Sequence, residues 1–141
     1  MTEALWKVII ADDEPMIREG LREAVDWKAY GMEVVAEAED GEEALELALK
    51  HESNLMLVDL NMPIMNGISL IQEVKQRLPA CRIVIVTGHD EFDYAQKAVR
   101  LGVDEYLLKP ANPSDLNDVI RRVKSQLDRA KAQAKHIQLA S

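Results

Sequence analysis

The sequence has little cysteine, few aromatic side chains and no long apolar run. Its only cysteine, Cys81, cannot form a disulfide within the chain, so the fold must depend on a packed core. A lone cysteine just before an apolar run is more typical of a packed thiol than of a reactive one. We therefore predict that Cys81 is buried and that the protein occupies a reducing compartment.

Membrane insertion and secretion are not expected. No apolar run approaches the roughly 18 residues that a membrane-spanning helix needs. The first four residues, Met1-Thr2-Glu3-Ala4, carry an acidic side chain where a secretory signal would carry positive charge. The sequence therefore predicts a cytoplasmic protein with no membrane partner.

Positive charge and aromatic side chains are both scarce for a nucleic-acid-binding protein. The chain has 17 Lys and Arg against 25 Asp and Glu, a net charge of −8, and its few aromatic residues are scattered. Contacts to phosphate backbones depend on Lys and Arg, and base stacking depends on aromatic platforms. Direct nucleic-acid binding by this chain is therefore not expected.

The chain has the length and apolar content of one globular domain, with 141 residues that are 48% hydrophobic and 30% charged. Five β-rich runs alternate with segments of helical spacing, and the predicted strands are 5–11, 32–37, 55–59, 82–87 and 104–109. Several runs are continuously apolar, which is typical of parallel strands covered on both faces. The predicted fold is α/β, a (βα)5 doubly wound parallel sheet of five strands.

Chemically active side chains lie at the ends of four predicted strands. Asp12 and Asp13 follow the first strand, Asp59 ends the third, Thr87 ends the fourth and Lys109 ends the fifth. Ligands of an open parallel sheet bind beyond the carboxyl ends of its strands. We therefore expect these five side chains to form one pocket.

The chemistry of that pocket favours phosphoryl transfer. Three carboxylates repel one another unless a cation lies between them, and Mg²⁺ combines few carboxylates with waters and phosphate oxygens. Lys109 would add a cation for phosphate oxygens, and Thr87 would add a hydroxyl donor. Asp59, alone at its strand end and opposite the acidic pair, is the predicted nucleophile because an aspartate can form an acyl phosphate.

Three stretches carry a resemblance to a known family: VIIADDEP, LMLVDLNMPIMNG and IVIVTGHDEFDYAQKAVRLGVDEYLLKP. Together they resemble the receiver domain of two-component response regulators, over residues 1–126. The resemblance implies a flavodoxin-like strand order, 2-1-3-4-5. The stretches TGHDEFDYAQKAVRLG and DWKAYGMEVVAEAEDGEEAL resemble receivers of regulators that end in an AraC-type helix-turn-helix domain.

The resemblance implies a phosphoacceptor and a metal site. Asp59 resembles the phosphoacceptor, which also binds the metal. Asp13 resembles a direct Mg²⁺ ligand, and Asp12 resembles a ligand that acts through water. The backbone carbonyl of Asn61 would complete the protein ligands.

The resemblance also implies a switch. Lys109 resembles the phosphate-binding lysine, Thr87 the switch hydroxyl and Tyr106 the aromatic that turns inward after it. Asn61 and His89 stand at the two positions that tune hydrolysis of the acyl phosphate in this family.

The implied function is a phosphorylation-activated signalling switch. Asp59 would accept a phosphoryl group from a sensor histidine kinase and would thereby change the association or activity of an output domain. That output is expected to be transcriptional control through a DNA-binding domain outside these residues. The chain itself would catalyse only its own phosphoryl transfer and autodephosphorylation.

Three other interpretations stay open. A phosphatase or phosphotransferase of the haloacid-dehalogenase type would need a second aspartate where this chain has Asn61. A degenerate receiver would act through constitutive protein contacts. A flavodoxin-like cofactor carrier would need a phosphate-binding loop after the first strand, where this chain has an acidic loop.

The end of the chain predicts a long helix. Asn112 and Pro113 are typical of a helix start, and residues 116–141 hold six Lys and Arg against two Asp. We interpret residues 127–141 as an extension that connects to an output domain. A homodimer would form through this helix or through the face of the fourth helix, fifth strand and fifth helix. The seven-residue apolar repeat comprises Leu116, Ile120, Val123, Leu127, Ala130, Ala134 and Ile137.

Overall fold

A parallel five-stranded sheet forms the centre of this computed structural model, which describes residues 4–88 and 92–140. All adjacent strands are parallel, and their order is β2-β1-β3-β4-β5. The predicted fold class and strand order are therefore confirmed. The strands are β1 (Trp6–Ala11), β2 (Met32–Ala38), β3 (Leu55–Val58), β4 (Arg82–Thr87) and β5 (Glu105–Leu108).

Five α-helices in the described residues follow the strands in turn, and a 3₁₀ helix (Trp27–Tyr30) precedes β2. Three of them begin with a side-chain cap. Asp40 accepts from the Glu43 N–H at 2.8 Å, Asn66 accepts from the Ser69 N–H at 2.9 Å, and Asn112 caps the last helix. The helices are α1 (Pro15–Ala24), α2 (Gly41–His51), α3 (Gly67–Arg77), α4 (Phe92–Arg100) and α5 (Pro113–Ala140).

The side chains of each strand alternate between two apolar layers. Ile9 and Ile85 belong to the layer that packs against α2 and α3. Ile10 and Val84 belong to the layer that packs against α1 and α5. Both faces of the sheet are therefore buried, which explains the continuous apolarity of the strand sequences.

Two apolar residues of the helices lie outside the core, since 83% of Met16 and 57% of Val99 is exposed. Met16 lies on the first turn of α1, beyond the carboxyl edge of the sheet, so no strand is available to cover it. The strand that was expected at 104–109 begins one residue later, because the Asp104 carboxylate accepts from the Ile83 N–H at 2.9 Å and from the Arg82 guanidinium at 3.1 Å.

Cys81 is buried and free, as predicted. Burial raises the pKa of its thiol to about 11, so the thiolate that would react is scarce at neutral pH. Over the described residues, no helix combines the length and the apolarity that a membrane span requires.

The predicted start of the last helix is confirmed. The Asn112 side chain accepts from the Ser114 N–H at 2.8 Å, and α5 begins at Pro113. The helix packs on the sheet as far as Leu127, and the side chains that are described after it are exposed. Beyond this point α5 is still attached to β1, because the Trp6 indole N–H donates to Asp128 at 3.1 Å and the Lys131 ammonium lies 5.6 Å from the Trp6 ring centre.

Candidate functional site

The carboxyl edge of the sheet brings together four of the predicted side chains. The Lys109 ammonium lies 2.8 Å from one carboxylate oxygen of Asp12 and 3.3 Å from one of Asp59. The Thr87 hydroxyl lies 3.4 Å from the other oxygen of Asp59, longer than an ordinary hydrogen bond between oxygens. The expectation that strands β1, β3, β4 and β5 contribute to one pocket is therefore met.

Asp59 is almost fully buried, with 5% of its surface exposed. Burial raises the pKa of its carboxyl group, and the negative charge of Asp12 raises that pKa further. Lys109 and the Asn61 backbone N–H, which donates to Asp59 at 3.3 Å, partly offset the increase. The result is a poorly solvated carboxylate whose two oxygens both accept from neighbouring donors.

Lys109 bridges the two buried carboxylates. Burial by itself lowers the pKa of its ammonium group, but the contacts to Asp12 and then to Asp59 outweigh that effect and raise the pKa overall. The ammonium is therefore charged at neutral pH and can neutralise only part of the acidic pocket. The peptide bond that follows it, Lys109-Pro110, is cis.

The loop between β1 and α1 is acidic and partly open to solvent. Oxygens of Asp12, Asp13 and Glu14 lie within 4.8 Å of one another, with Asp12 buried and the other two exposed. Carboxylate oxygens are the ligands that Mg²⁺ prefers, and the exposed side leaves space for waters and a phosphate group. The residues that are present therefore fit Mg²⁺.

The glycine that begins α3 lies against the backbone of the Asp59 loop. A Cβ atom at Gly67 would lie 2.6 Å from the Asp59 carbonyl oxygen and 2.6 Å from the Leu60 Cα. The Gly67 N–H donates to the Leu60 carbonyl at 2.9 Å. The start of α3 can approach Asp59 this closely only because residue 67 has no side chain. Gly67 is therefore needed for the packing of α3 against the Asp59 loop as well as for the turn.

One predicted residue lies apart from this cluster. Tyr106 packs against the apolar layer of α2 and α3, and its buried hydroxyl has no hydrogen-bond partner among the described residues. It lies in β5 three residues before Lys109, but no direct contact joins it to Asp59 within the part of the chain that is described. His89 lies outside the described residues.

Sequence reasoning missed Arg18 and Glu37. The Arg18 guanidinium donates to the Asp12 carbonyl oxygen at 2.6 Å and to Glu37, at the end of β2, at 3.3 Å. The sequence does contain one indication of this contact: Arg18 follows the acidic loop by one helical turn, on the helix that begins at that loop.

Comparison with known proteins agrees with this geometry. Residues 8–121 match the response regulator receiver domain family. The receiver domain of AraT, a response regulator from Geobacillus stearothermophilus, is 56% identical and superposes with a TM-score of 0.88, over 90% of this chain and 98% of that chain. A two-component transcriptional regulator, AraC from Clostridium phytofermentans, is 30% identical, with a TM-score of 0.80 over 91% of this chain and 98% of that one.

Curated relatives extend the comparison to longer proteins. The transcriptional regulatory protein HptR of Staphylococcus aureus is 35% identical over 119 residues, which are 84% of this chain and 46% of HptR. An uncharacterized response regulatory protein of Staphylococcus epidermidis is 39% identical over 116 residues, which are 82% of this chain and 45% of that protein. The chain thus spans less than half the length of these two relatives. It belongs to the response regulator receiver domain family.

Proposed function

We propose that this domain is a phosphorylation-dependent switch whose phosphoacceptor is Asp59. The observation that carries the proposal is the position of the buried Asp59 carboxylate, 3.3 Å from the Lys109 ammonium and opposite the acidic loop at residues 12–14. Receiver domains of two-component systems act with histidine kinases, so the proposed donor is a kinase phosphohistidine.

The transfer uses the groups on this edge of the sheet. A carboxylate oxygen of Asp59 attacks phosphorus, the phosphorus–nitrogen bond of the phosphohistidine breaks, and the imidazole leaves with the bonding electrons and takes a proton from water. Lys109 and the Thr87 hydroxyl are close enough to Asp59 to contact the oxygens of the transferred group. The chain then catalyses only its own phosphorylation and its return to the carboxylate.

The proposed metal is Mg²⁺, held by Asp12, Asp13, Asp59 and the backbone carbonyl of Asn61. When bound, it supplies positive charge that offsets the charge on the phosphoryl oxygens. The Lys109 ammonium lies 2.8 Å from the Asp12 carboxylate. Its positive charge reduces the repulsion between the carboxylates and so helps to keep them close together.

The proposed output is a change of association. Thr87 would move toward the new phosphoryl group and Tyr106 would follow it, which would change the face of α4, β5 and α5. Tyr106 supports this link because its hydroxyl is buried without a described partner and could gain one elsewhere. Asn61 and His89 would set the lifetime of the acyl phosphate.

Two of the similar proteins are transcriptional regulators. HptR is named a transcriptional regulatory protein, and AraC of Clostridium phytofermentans a two-component transcriptional regulator. We propose that a DNA-binding domain outside residues 1–126 carries the output, and that residues 127–141 connect the receiver to it. The buried free thiol of Cys81 supports a reducing location such as the cytoplasm.

The test is mass spectrometry after incubation with acetyl phosphate, with and without Mg²⁺. We expect the wild-type protein to gain one phosphoryl group that needs Mg²⁺ and is lost under alkaline conditions. Asp59→Asn should prevent the gain, and Asp115→Asn, which changes an exposed aspartate of α5, should not. An unmodified wild-type protein that binds Mg²⁺ would contradict the proposal and would favour a receiver that acts through constitutive contacts.

A further inference from the structure

Arg18 contacts the acidic loop from outside the phosphoacceptor pocket. Its Nη1 atom donates to the Asp12 carbonyl oxygen at 2.6 Å, and its Nε atom donates to Glu37 at 3.3 Å. Only 16% of the Arg18 side chain is exposed, so the guanidinium is held between the loop and the end of β2. A planar guanidinium can donate to two such acceptors at once, and an ammonium group cannot copy this geometry.

The contact fixes the peptide that joins the two aspartates. The Asp12 N–H donates to the Ala38 carbonyl at 3.0 Å, so the residue is already tied to β2 on its amino side. Its carbonyl group and the Asp13 N–H share one rigid peptide plane. Arg18 holds that plane by its oxygen, and the plane sets the direction in which the exposed Asp13 leaves the loop.

We propose that Arg18 is the positioning residue of the divalent-cation site, because it sets the place of the Asp13 carboxylate relative to Asp12. The inference rests on the proposed function, in which these carboxylates bind Mg²⁺. Residues that orient metal ligands without binding the metal typically change metal affinity by about 10- to 100-fold when they are substituted. We expect an effect of about tenfold here, since Asp12 keeps its other contacts.

The same helix provides a matched control. Arg22 also bonds to Glu37, through the other carboxylate oxygen, and 47% of its side chain is exposed. Its described contact is with Glu37 and not with the Asp12 backbone. Replacing Arg22 therefore removes one cation from the same helix and the same ion pair but leaves the peptide between Asp12 and Asp13 in place.

The experiment is a Mg²⁺ titration of the ¹⁵N-labelled full chain without a phosphoryl donor, followed through the backbone amide signals of residues 12–14. Arg18→Gln and Arg18→Lys should both bind Mg²⁺ about tenfold more weakly than the wild type, and Arg22→Gln should bind it equally well. In acetyl phosphate labelling, saturating Mg²⁺ should restore the rate of both Arg18 variants. Arg18→Lys keeps the charge, so it separates geometry from charge and is the variant expected to fold most readily.

Wild-type Mg²⁺ affinity in either Arg18 variant would overturn the inference, and a lower melting temperature alone would then assign Arg18 to helix packing. A labelling rate that stays low at saturating Mg²⁺ would also contradict it. A wild type that binds Mg²⁺ but is not labelled would refute the proposed function alone, because the Mg²⁺ titration would still test the role of Arg18. A wild type that does not bind Mg²⁺ would refute both.

Discussion

Replacing Gly67 by alanine should destabilise the protein, although alanine is the better helix former. The added methyl group would lie 2.6 Å from the Asp59 carbonyl oxygen, about 0.8 Å short of the 3.4 Å at which ordinary contact begins. The Leu60 Cα lies equally close, and because both atoms belong to the backbone, the start of α3 and the loop at Asp59 must separate. Overpacking costs about 1–3 kcal/mol, and the gain in helix propensity returns about 1 kcal/mol at most. Because the close neighbours are backbone atoms, the cost of overpacking should lie near the upper end of this range, which leaves a net loss of about 2 kcal/mol.

Chemical and thermal unfolding followed by circular dichroism measure this loss, which should lower the melting temperature by roughly 8 °C for a chain of this size. Gly20→Ala is the control, since a Cβ atom there meets nothing within 4 Å on an exposed helix, and it should stabilise the protein by up to about 1 kcal/mol. Acetyl phosphate labelling of Gly67→Ala should also slow, because Asp59 moves. A Gly67→Ala variant as stable as the wild type would refute the steric reasoning.

Two further predictions concern strain and protonation. Ile64 has a φ of 69° and is 76% exposed, so Ile64→Gly should relieve backbone strain and raise the free energy of unfolding by up to about 1 kcal/mol. Ile64→Ala keeps the Cβ atom and should leave that free energy nearly unchanged. Urea unfolding measures both variants, and equal effects would exclude backbone strain as the cause. Burial and then Asp12 raise the pKa of Asp59 above 3.8, so the folded state holds this proton more tightly than the unfolded chain does. Without Mg²⁺, the contribution of Asp59 to stability should therefore decline as the pH rises from about 4 through its folded-state pKa. Urea unfolding across this pH range should show the decline in the wild type and not in Asp59→Asn. An identical pH profile in the variant would contradict the raised pKa of Asp59.

The pocket could be predicted from the sequence because its position follows from topology. Once the strands are parallel, Asp59, Thr87 and Lys109 must meet at one edge, whatever the details of packing. Arg18 could not be found in this way, because its partner Glu37 lies 19 residues away and the contact depends on how α1 is placed over β2. The need for Gly67 was also hidden, since the sequence shows a glycine but not the backbone that approaches it.

The α5 helix shows a further limit of prediction from sequence, because the same apolar repeat is compatible with packing on the sheet and with packing against a second helix. Its first four members, Leu116, Ile120, Val123 and Leu127, are at most 5% exposed and pack on the sheet. They are therefore not available to a second helix, and a dimer through this repeat would depend on the residues that follow. Ala130 and Ala134 would bury little apolar area there, so that dimer would be weak. Trp6 instead ties the segment to β1 through Asp128 and Lys131. The direction of the extension is consequently set by the receiver core, and a shift of α5 on the sheet would redirect whatever follows it.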